Sequence, residues 1–285
     1  MKIKSYKYKV GQKKDGKVII ESIDRKKFTS QVFDNDMISY IKSIVPSSEK
    51  VAVLVAGGPA IHHSDTRNVN NLAVEGSVVV RSQLGYNSYN IARLFEFDID
   101  YISINTNTCA SSMYCLYEAK RLFQEGFTDV IIVAVDLVDD TQELLFKQLG
   151  IDLVCGDCIS VTHLANEGIA SIDDVVWKWN KDSSPMSVSK EGYDKVISSL
   201  DTSGVDFVKM HGSGTERNTE MEIEAIRARG VEGKCVGYKE LIGHTQGCST
   251  IVEVCIMLDN ENFTKSLVLA SGLGGFYGGC IITKG

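Results

Sequence analysis

The sequence predicts an α/β protein whose sheets are covered by helices on both faces. Strand and helix patterns alternate along the chain, and the strands are near-continuous apolar runs, as sheets buried on both sides require. The second half of the chain repeats the theme of the first, and no Pro/Gly/Ser-rich linker separates the two.

The elements follow in order. Tyr6 to Val10 and Lys17 to Glu21 flank Asp15-Gly16, a dipeptide suited to a tight hairpin turn, so the chain is expected to open with two strands. Met37, Ile38, Ile41 and Ile44 recur at helical spacing in Asn35 to Ile44, which Pro46 closes. Lys50 to Ala56 is a buried strand running into Gly57-Gly58-Pro59. A helix near Ser82 to Phe95, a strand over Tyr101 to Asn105, a helix over Ala110 to Glu125, and strands over Asp129 to Val135 and Ile159 to Ala165 come next. The second half offers a strand over Phe207 to Met210, a helix over Glu220 to Arg229, and a strand at Cys235 to Val236. A helix over Gly247 to Leu258 and strands over Leu267 to Ala270 and Gly279 to Thr283 complete it. The halves, about 1 to 170 and 171 to 285, are expected to pack as one body joined near Asn166 to Ile172.

Composition narrows the function. With 285 residues, 44% hydrophobic and 24% charged, the chain has the make-up of a folded domain with a substantial core. No apolar run approaches the ~20 residues that span a bilayer, and the basic start lacks an apolar segment behind it, so a cytoplasmic location is expected. A net charge of -7 argues against nucleic acid as the main partner. The exception is the lysine-rich start (Lys2, Lys4, Lys7, Lys9, Lys13, Lys14, Lys17), read as a solvated edge hairpin or, less simply, a patch for an acidic partner. Eight cysteines form no disulfide framework. Cys155 and Cys158 make a lone CxxC with no second pair at metal spacing, so no metal is expected.

Three positions carry chemistry. Cys109 stands between an apolar strand and a helix in Asn107-Thr108-Cys109-Ala110-Ser111-Ser112, where a helix N-terminus is expected to lower the thiol pKa and favour thiolate. His211 closes a strand and opens Gly212-Ser213-Gly214-Thr215, and His244 lies in Gly243-His244-Thr245-Gln246-Gly247, with Lys239 five residues upstream. Histidines at glycine-rich strand-to-helix corners suit a site better than a core. His163, inside a strand, and His62-His63, in a loop, suit structural roles.

TCASS around Cys109, HGSGT from His211, and K-x-x-x-GHTQG from Lys239 through His244 occur in the order of the β-ketoacyl synthases, the condensing enzymes of the thiolase superfamily, which this sequence resembles. NSYNIARLFEF and GLGGFYGG resemble the family's helix before the nucleophile strand and its C-terminal gate loop. The resemblance implies a thiolase-like five-layered αβαβα fold and a homodimer, in which the strand leading into Cys109 would pair near the interface. It implies that Cys109 takes an acyl group as a thioester. His211 and His244 would stabilise the enolate left when a malonyl thioester loses carbon dioxide. Lys239 would be the lysine near the histidines, and Glu222 the glutamate that pairs with it. The backbone N–H groups of Cys109 and Tyr277 would form the oxyanion hole, and Ser213 and Thr215 would hold the phosphopantetheine arm. No cofactor is implied beyond the phosphopantetheine that the substrate thioesters carry, on an acyl carrier protein or coenzyme A.

The chain is short for that family. The insertion after the strand Val130 to Val138 is reduced to Asp139 to Leu153, Gly156-Asp157-Cys158 replaces a longer glycine-rich stretch, and Thr219 and Thr250 replace usual residues. Acyl transfer to a non-malonyl acceptor, and a non-catalytic subunit partnering a full-length synthase, are the alternative functions.

Overall fold

The computed structural model describes residues 1–14, 16–23, 32–47, 50–57, 84–138, 144, 146–148, 150–151, 153–181 and 188–285. Asp15, Gly58, Pro59, His62, His63, the start of the helix expected from Ser82, and much of Asp139 to Leu153 lie outside them. The first half holds β1 (Lys2–Val10), β2 (Gln12–Lys14), β3 (Lys17–Ile19), α1 (Asn35–Ser43), β4 (Val51–Ala56), α2 (Leu84–Ala92), β5 (Tyr101–Asn105), α3 (Ser111–Gln124), β6 (Asp129–Asp136) and β7 (Cys158–Ala165). The second holds β8 (Ala170–Trp179), α4 (Lys190–Ile197), β9 (Phe207–Lys209), α5 (Glu216–Ala228) and β10 (Lys234–Val236), then α6 (Lys239–Ile242), α7 (Ser249–Asn260), β11 (Lys265–Gly272) and β12 (Phe276–Lys284).

Ten of the described strands form one sheet in the order β10-β9-β11-β12-β8-β1-β7-β6-β4-β5. It is the same five-stranded unit twice. In each half the strands lie third, second, fourth, fifth, first, and the fifth (β7 or β12) runs antiparallel to its neighbours. The units meet where β1 pairs β8 through Lys2 opposite Ser171 and Ile3 opposite Ala170.

Alternating side chains turn these sheets into layers. Along β4, Val51, Val53 and Val55 face a core with Met37 and Ile41 of α1 and Ile91 of α2, while Ala52, Leu54 and Ala56 face the central core. Along β11, Leu267 and Leu269 face Tyr193 and Val196 of α4, and Val268 and Ala270 face inward. Helices α3 and α7 fill the middle, contributing Met113, Leu116, Ile251 and Val254. Outer helices, sheet, central helices, sheet and outer helices make the five-layered αβαβα thiolase-like fold. No described helix is long and apolar enough to cross a membrane.

The lysine-rich start departs from the expected edge hairpin. The tight hairpin joins β2 to β3, whereas Tyr6 to Val10 belong to β1, an interior strand paired along its length with β7. Its alternation explains this placement. The Tyr6 and Tyr8 hydroxyls both donate to Asp259 of α7, and on the opposite face Lys7 and Lys9 pair with Asp36 and Asp34 at the start of α1. Asp34 also caps α1, accepting the Met37 N–H at 2.9 Å.

Candidate functional site

Each half delivers a strained elbow to the centre. Thr108 (φ 50°) and Gln246 (φ 43°) are the non-glycine residues with positive φ among the described residues, and each opens a 3-10 turn, Thr108–Ala110 or Gln246–Cys248, that runs straight into a central helix. Strain of this kind persists where the surroundings over-determine it. Thr108 is held by its carbonyl, which accepts the Ser111 hydroxyl at 2.6 Å, and by its hydroxyl, which donates to the Leu273 carbonyl at 3.3 Å. In the second elbow the Gly247 N–H donates to Asp136 at 3.0 Å. Gly272 makes the close approach possible: a Cβ there would lie 2.4 Å from Thr108 Oγ1 and 2.9 Å from the Asn107 carbonyl. Gly272→Ala is expected to cost about 1–3 kcal/mol in denaturant unfolding and to displace the Cys109 turn, because backbone must move to admit the methyl.

Cys109 is half-buried, its Sγ 3.8 Å from Gln246 Oε1. The expected thiolate is not what the surroundings favour. Desolvation pushes the thiol up to about 12, with Lys239 opposing and Asp136 adding to the shift. Cys109 stands one turn ahead of α3, and the cost of desolvating a thiolate there outweighs the field of the helix start. At rest Cys109 is therefore the protonated thiol, and ionising it requires a neighbouring group that takes its proton.

The two imidazoles stand edge to face, ring centres 5.9 Å apart. Burial lowers both pKa values well below the ordinary range, and Lys239 lowers them further, so both rings are neutral at pH 7. His244 Nδ1 accepts the Gln246 backbone N–H at 3.1 Å, which puts the ring proton on Nε2. His211 Nδ1 is buried and has no hydrogen-bond partner among the described residues.

Beneath the histidines lies a charged cluster that the motifs reveal only in part. Lys239 donates to the His211 carbonyl and pairs with Glu253 of α7 at 2.9 Å, not with Glu222 as expected. Glu222 instead accepts the N–H groups of His211 (2.5 Å) and Gly212 (2.9 Å), holding the histidine turn by its backbone. The second cation on Glu253 is Lys209, fully buried on β9. Burial lowers its pKa and raises that of Glu222.

A cavity of about 310 Å³ is lined by Cys109, His211, His244, Ser213 and Thr215, with Phe146, Val188 and Leu273 among its apolar walls. A second of about 300 Å³ shares Ser213 and His244 and is bounded by Lys13 and Lys239. Ser213 and Thr215 hydroxyls lie 3.1 Å apart at the first cavity's wall. Tyr277 is not part of that wall. It sits within β12, opposite Ser271 on one side and Lys178 on the other, and its buried ring packs on Tyr193 while its hydroxyl accepts the Ser189 N–H at 2.6 Å. Leu273, in the turn between β11 and β12, lines the same cavity as Cys109.

Fold and site together define an α/β protein of thiolase-like fold with one cysteine and two histidines on a shared cavity. The comparisons narrow the class. Residues 184–261 match the family model described as "Beta-ketoacyl synthase, C-terminal domain". The fold is similar to a β-ketoacyl synthase from Burkholderia phymatum STM815, at TM-score 0.73 and 14% identity, covering 90% of this chain and 80% of that one. It is similar to a ketosynthase in complex with its chain length factor from Xenorhabdus doucetiae (TM-score 0.70, 16% identity, 84% of this chain and 76% of that one). A ketosynthase from module 6 of the bacillaene synthase of Bacillus subtilis 168 aligns over 87% of this chain but 54% of its own length, at TM-score 0.69 and 12% identity. No curated protein sequence matches. The chain has the ketosynthase fold, and its second half carries the sequence signature of the β-ketoacyl synthase C-terminal domain.

Proposed function

We propose that this protein is a condensing enzyme that forms an acyl thioester on Cys109 and extends it by decarboxylative Claisen condensation with a malonyl thioester. The observation that carries the reading is the convergence of Cys109, His211 and His244 on one cavity, from opposite halves of the fold. A neutral imidazole accepts the Cys109 proton as the thiol attacks the donor carbonyl, and the donor thiol leaves. In the second step the bond from the malonyl α-carbon to its carboxylate breaks and carbon dioxide departs. The enolate oxygen gains its charge beside His244 Nε2–H, and the α-carbon attacks the Cys109 thioester, releasing the thiol. The amides of Cys109 and Leu273 would receive the oxyanion of that attack, and Ser213 and Thr215 the pantetheine arm. The donor would ride on an acyl carrier protein or coenzyme A, and the exposed Tyr101 and Ile102 on edge strand β5 would serve a homodimer or a heterodimer with another ketosynthase in the cytoplasm.

Intact-protein mass spectrometry with a panel of acyl-carrier and acyl-coenzyme A thioesters, followed by malonyl-carrier, tests this. An acyl adduct that disappears with release of a longer β-ketoacyl product supports condensation. An adduct passed to an amine or alcohol but never to malonyl-carrier means simple acyl transfer. Absence of any adduct favours a partner subunit of the chain-length-factor kind. His244→Ala is expected to lower decarboxylation of the malonyl thioester by ~10²–10³-fold, the usual loss on removing one oxyanion donor.

A further inference from the structure

Gln246 belongs to none of the roles above, yet its side chain is buried, 3% exposed, between two sulfurs. Its Oε1 faces the Cys109 thiol at 3.8 Å, and its Nε2 faces Cys155 Sγ at 3.7 Å. The backbone at Gln246 is strained, and the segments on either side are tied together: the His244 N–H donates to the Val154 carbonyl at 2.7 Å and the Gly156 N–H to the His244 carbonyl at 3.1 Å. Burial and the two sulfur contacts hold the carboxamide in place and leave rotation about its terminal bond as the motion that exchanges its partners. A half-turn exchanges its acceptor for its donor, and a thiol at Cys155 accommodates both orientations because sulfur accepts and S–H donates.

We propose that Gln246 is a positioning residue for the nucleophile, an amide that accepts from the Cys109 thiol at rest and turns to donate Nε2–H to the thiolate once the proton has left, with Cys155 as its counter-partner in both states. This rests on Cys109 being the nucleophile. The arrangement addresses a difficulty specific to this site, where burial opposes the thiolate and the neutral histidines carry no charge to stabilise it. Of the charged groups, Lys239 favours the thiolate and Asp136 opposes it; His211, His244, Ser213, Thr215, Arg217, Asn218 and Ser271 line the same cavity, and Tyr193 is electrostatically coupled to the thiol. None of these is altered by exchanging Gln246.

Alkylation of Cys109 by iodoacetamide reads the thiolate directly and needs no thioester substrate. The sulfur–carbon bond forms, iodide leaves, and the thiol proton passes to solvent. Peptide-resolved mass spectrometry at about pH 8, well below the thiol's own range, makes the rate proportional to thiolate. The exposed Cys235 serves as the reference in the same chain. Gln246→Leu removes both polar contacts and is expected to slow Cys109 about tenfold relative to Cys235, the equivalent of one pH unit. Gln246→Glu, which can only accept and adds negative charge, is expected to slow it further. Cys155→Ser keeps a group that donates and accepts and should hold the rate near wild type, whereas Cys155→Val should slow it several-fold. A Gln246→Leu rate equal to or above wild type, in protein with an unchanged melting transition, overturns the proposal. Should that variant fail to fold, a Gln246→Glu rate equal to or above wild type overturns it. Because no acyl donor is involved, a failure to acylate Cys109 leaves these rates readable, so the two readings fail separately.

Discussion

Cys109→Ala is expected to lose the acyl adduct and the condensed product entirely while still releasing carbon dioxide from a malonyl thioester. In the proposed reaction the two half-reactions use different groups. Thioester formation needs a nucleophile, and removing one from an acyl-transfer enzyme costs on the order of 10⁶-fold. Decarboxylation needs an oxyanion donor next to the thioester carbonyl, and His244 with its proton on Nε2 remains in place. The substitution also removes a group with a costly ionisation, and half-buried alanine fits where the thiol stood, so the fold should survive. The complementary His244→Ala variant should show the opposite split, accepting an acyl group but decarboxylating slowly. Measuring adduct mass and carbon dioxide release on the same preparations checks this. Loss of both activities in Cys109→Ala would mean that the cysteine shapes the cavity rather than reacting from it.

Much of this candidate site was legible because Cys109 and His211 stand just after strands and His211 and His244 stand in glycine-containing turns. Cys109 and His211 follow strands β5 and β9, His244 follows the short helix α6, and the fold brings all three to one cavity. The parts that escaped have identifiable physical reasons. β8 carries Asp173, Asp174 and Lys178 among its apolar residues, since Asp174 serves Lys120 at 2.6 Å, so its pattern does not read as a buried strand. α4 is eight residues long with Gly192 inside it, a glycine whose missing Cβ makes room for the Tyr277 ring. In the glycine-rich stretch GLGGFYGG the glycines give no side-chain pattern to fix the alignment, and the expected Tyr277 amide lies within the sheet while Leu273 lines the cavity. The thiol's pKa direction was misread because proximity to a helix start is visible in sequence and burial at that point is not. Lys209 and Glu253 left a signal that composition alone could have raised: a lone charge inside an apolar strand and another inside the apolar helix IVEVCIM. Such charges are retained when they are paired.

That pair leads to the second large effect, on stability. Glu253 carries two cations, Lys209 and Lys239, and all three are almost wholly excluded from solvent. Glu253→Gln keeps the volume but leaves two buried ammonium groups facing a neutral amide, and removal of one partner from a buried ion pair costs about 3–5 kcal/mol. An exposed pair gives the contrast. Lys234 reaches Glu261 at 2.7 Å with its side chain 65% exposed, and Lys234→Ala should cost no more than ~1 kcal/mol. The pH dependence follows from the direction of the Lys209 shift. Its folded pKa lies below the unfolded one, so between the two the unfolded state binds more protons and stability rises with pH. Without Glu253 that depression deepens, and the variant should regain part of its lost stability as pH is raised toward the ordinary lysine range. The loss also reaches the site, since Lys239, which donates to the His211 carbonyl, loses the carboxylate that anchors it on its other side. Urea unfolding at several pH values, on both variants, checks the argument: a Glu253→Gln loss no larger than that of Lys234→Ala would show that the buried cluster contributes nothing to folding.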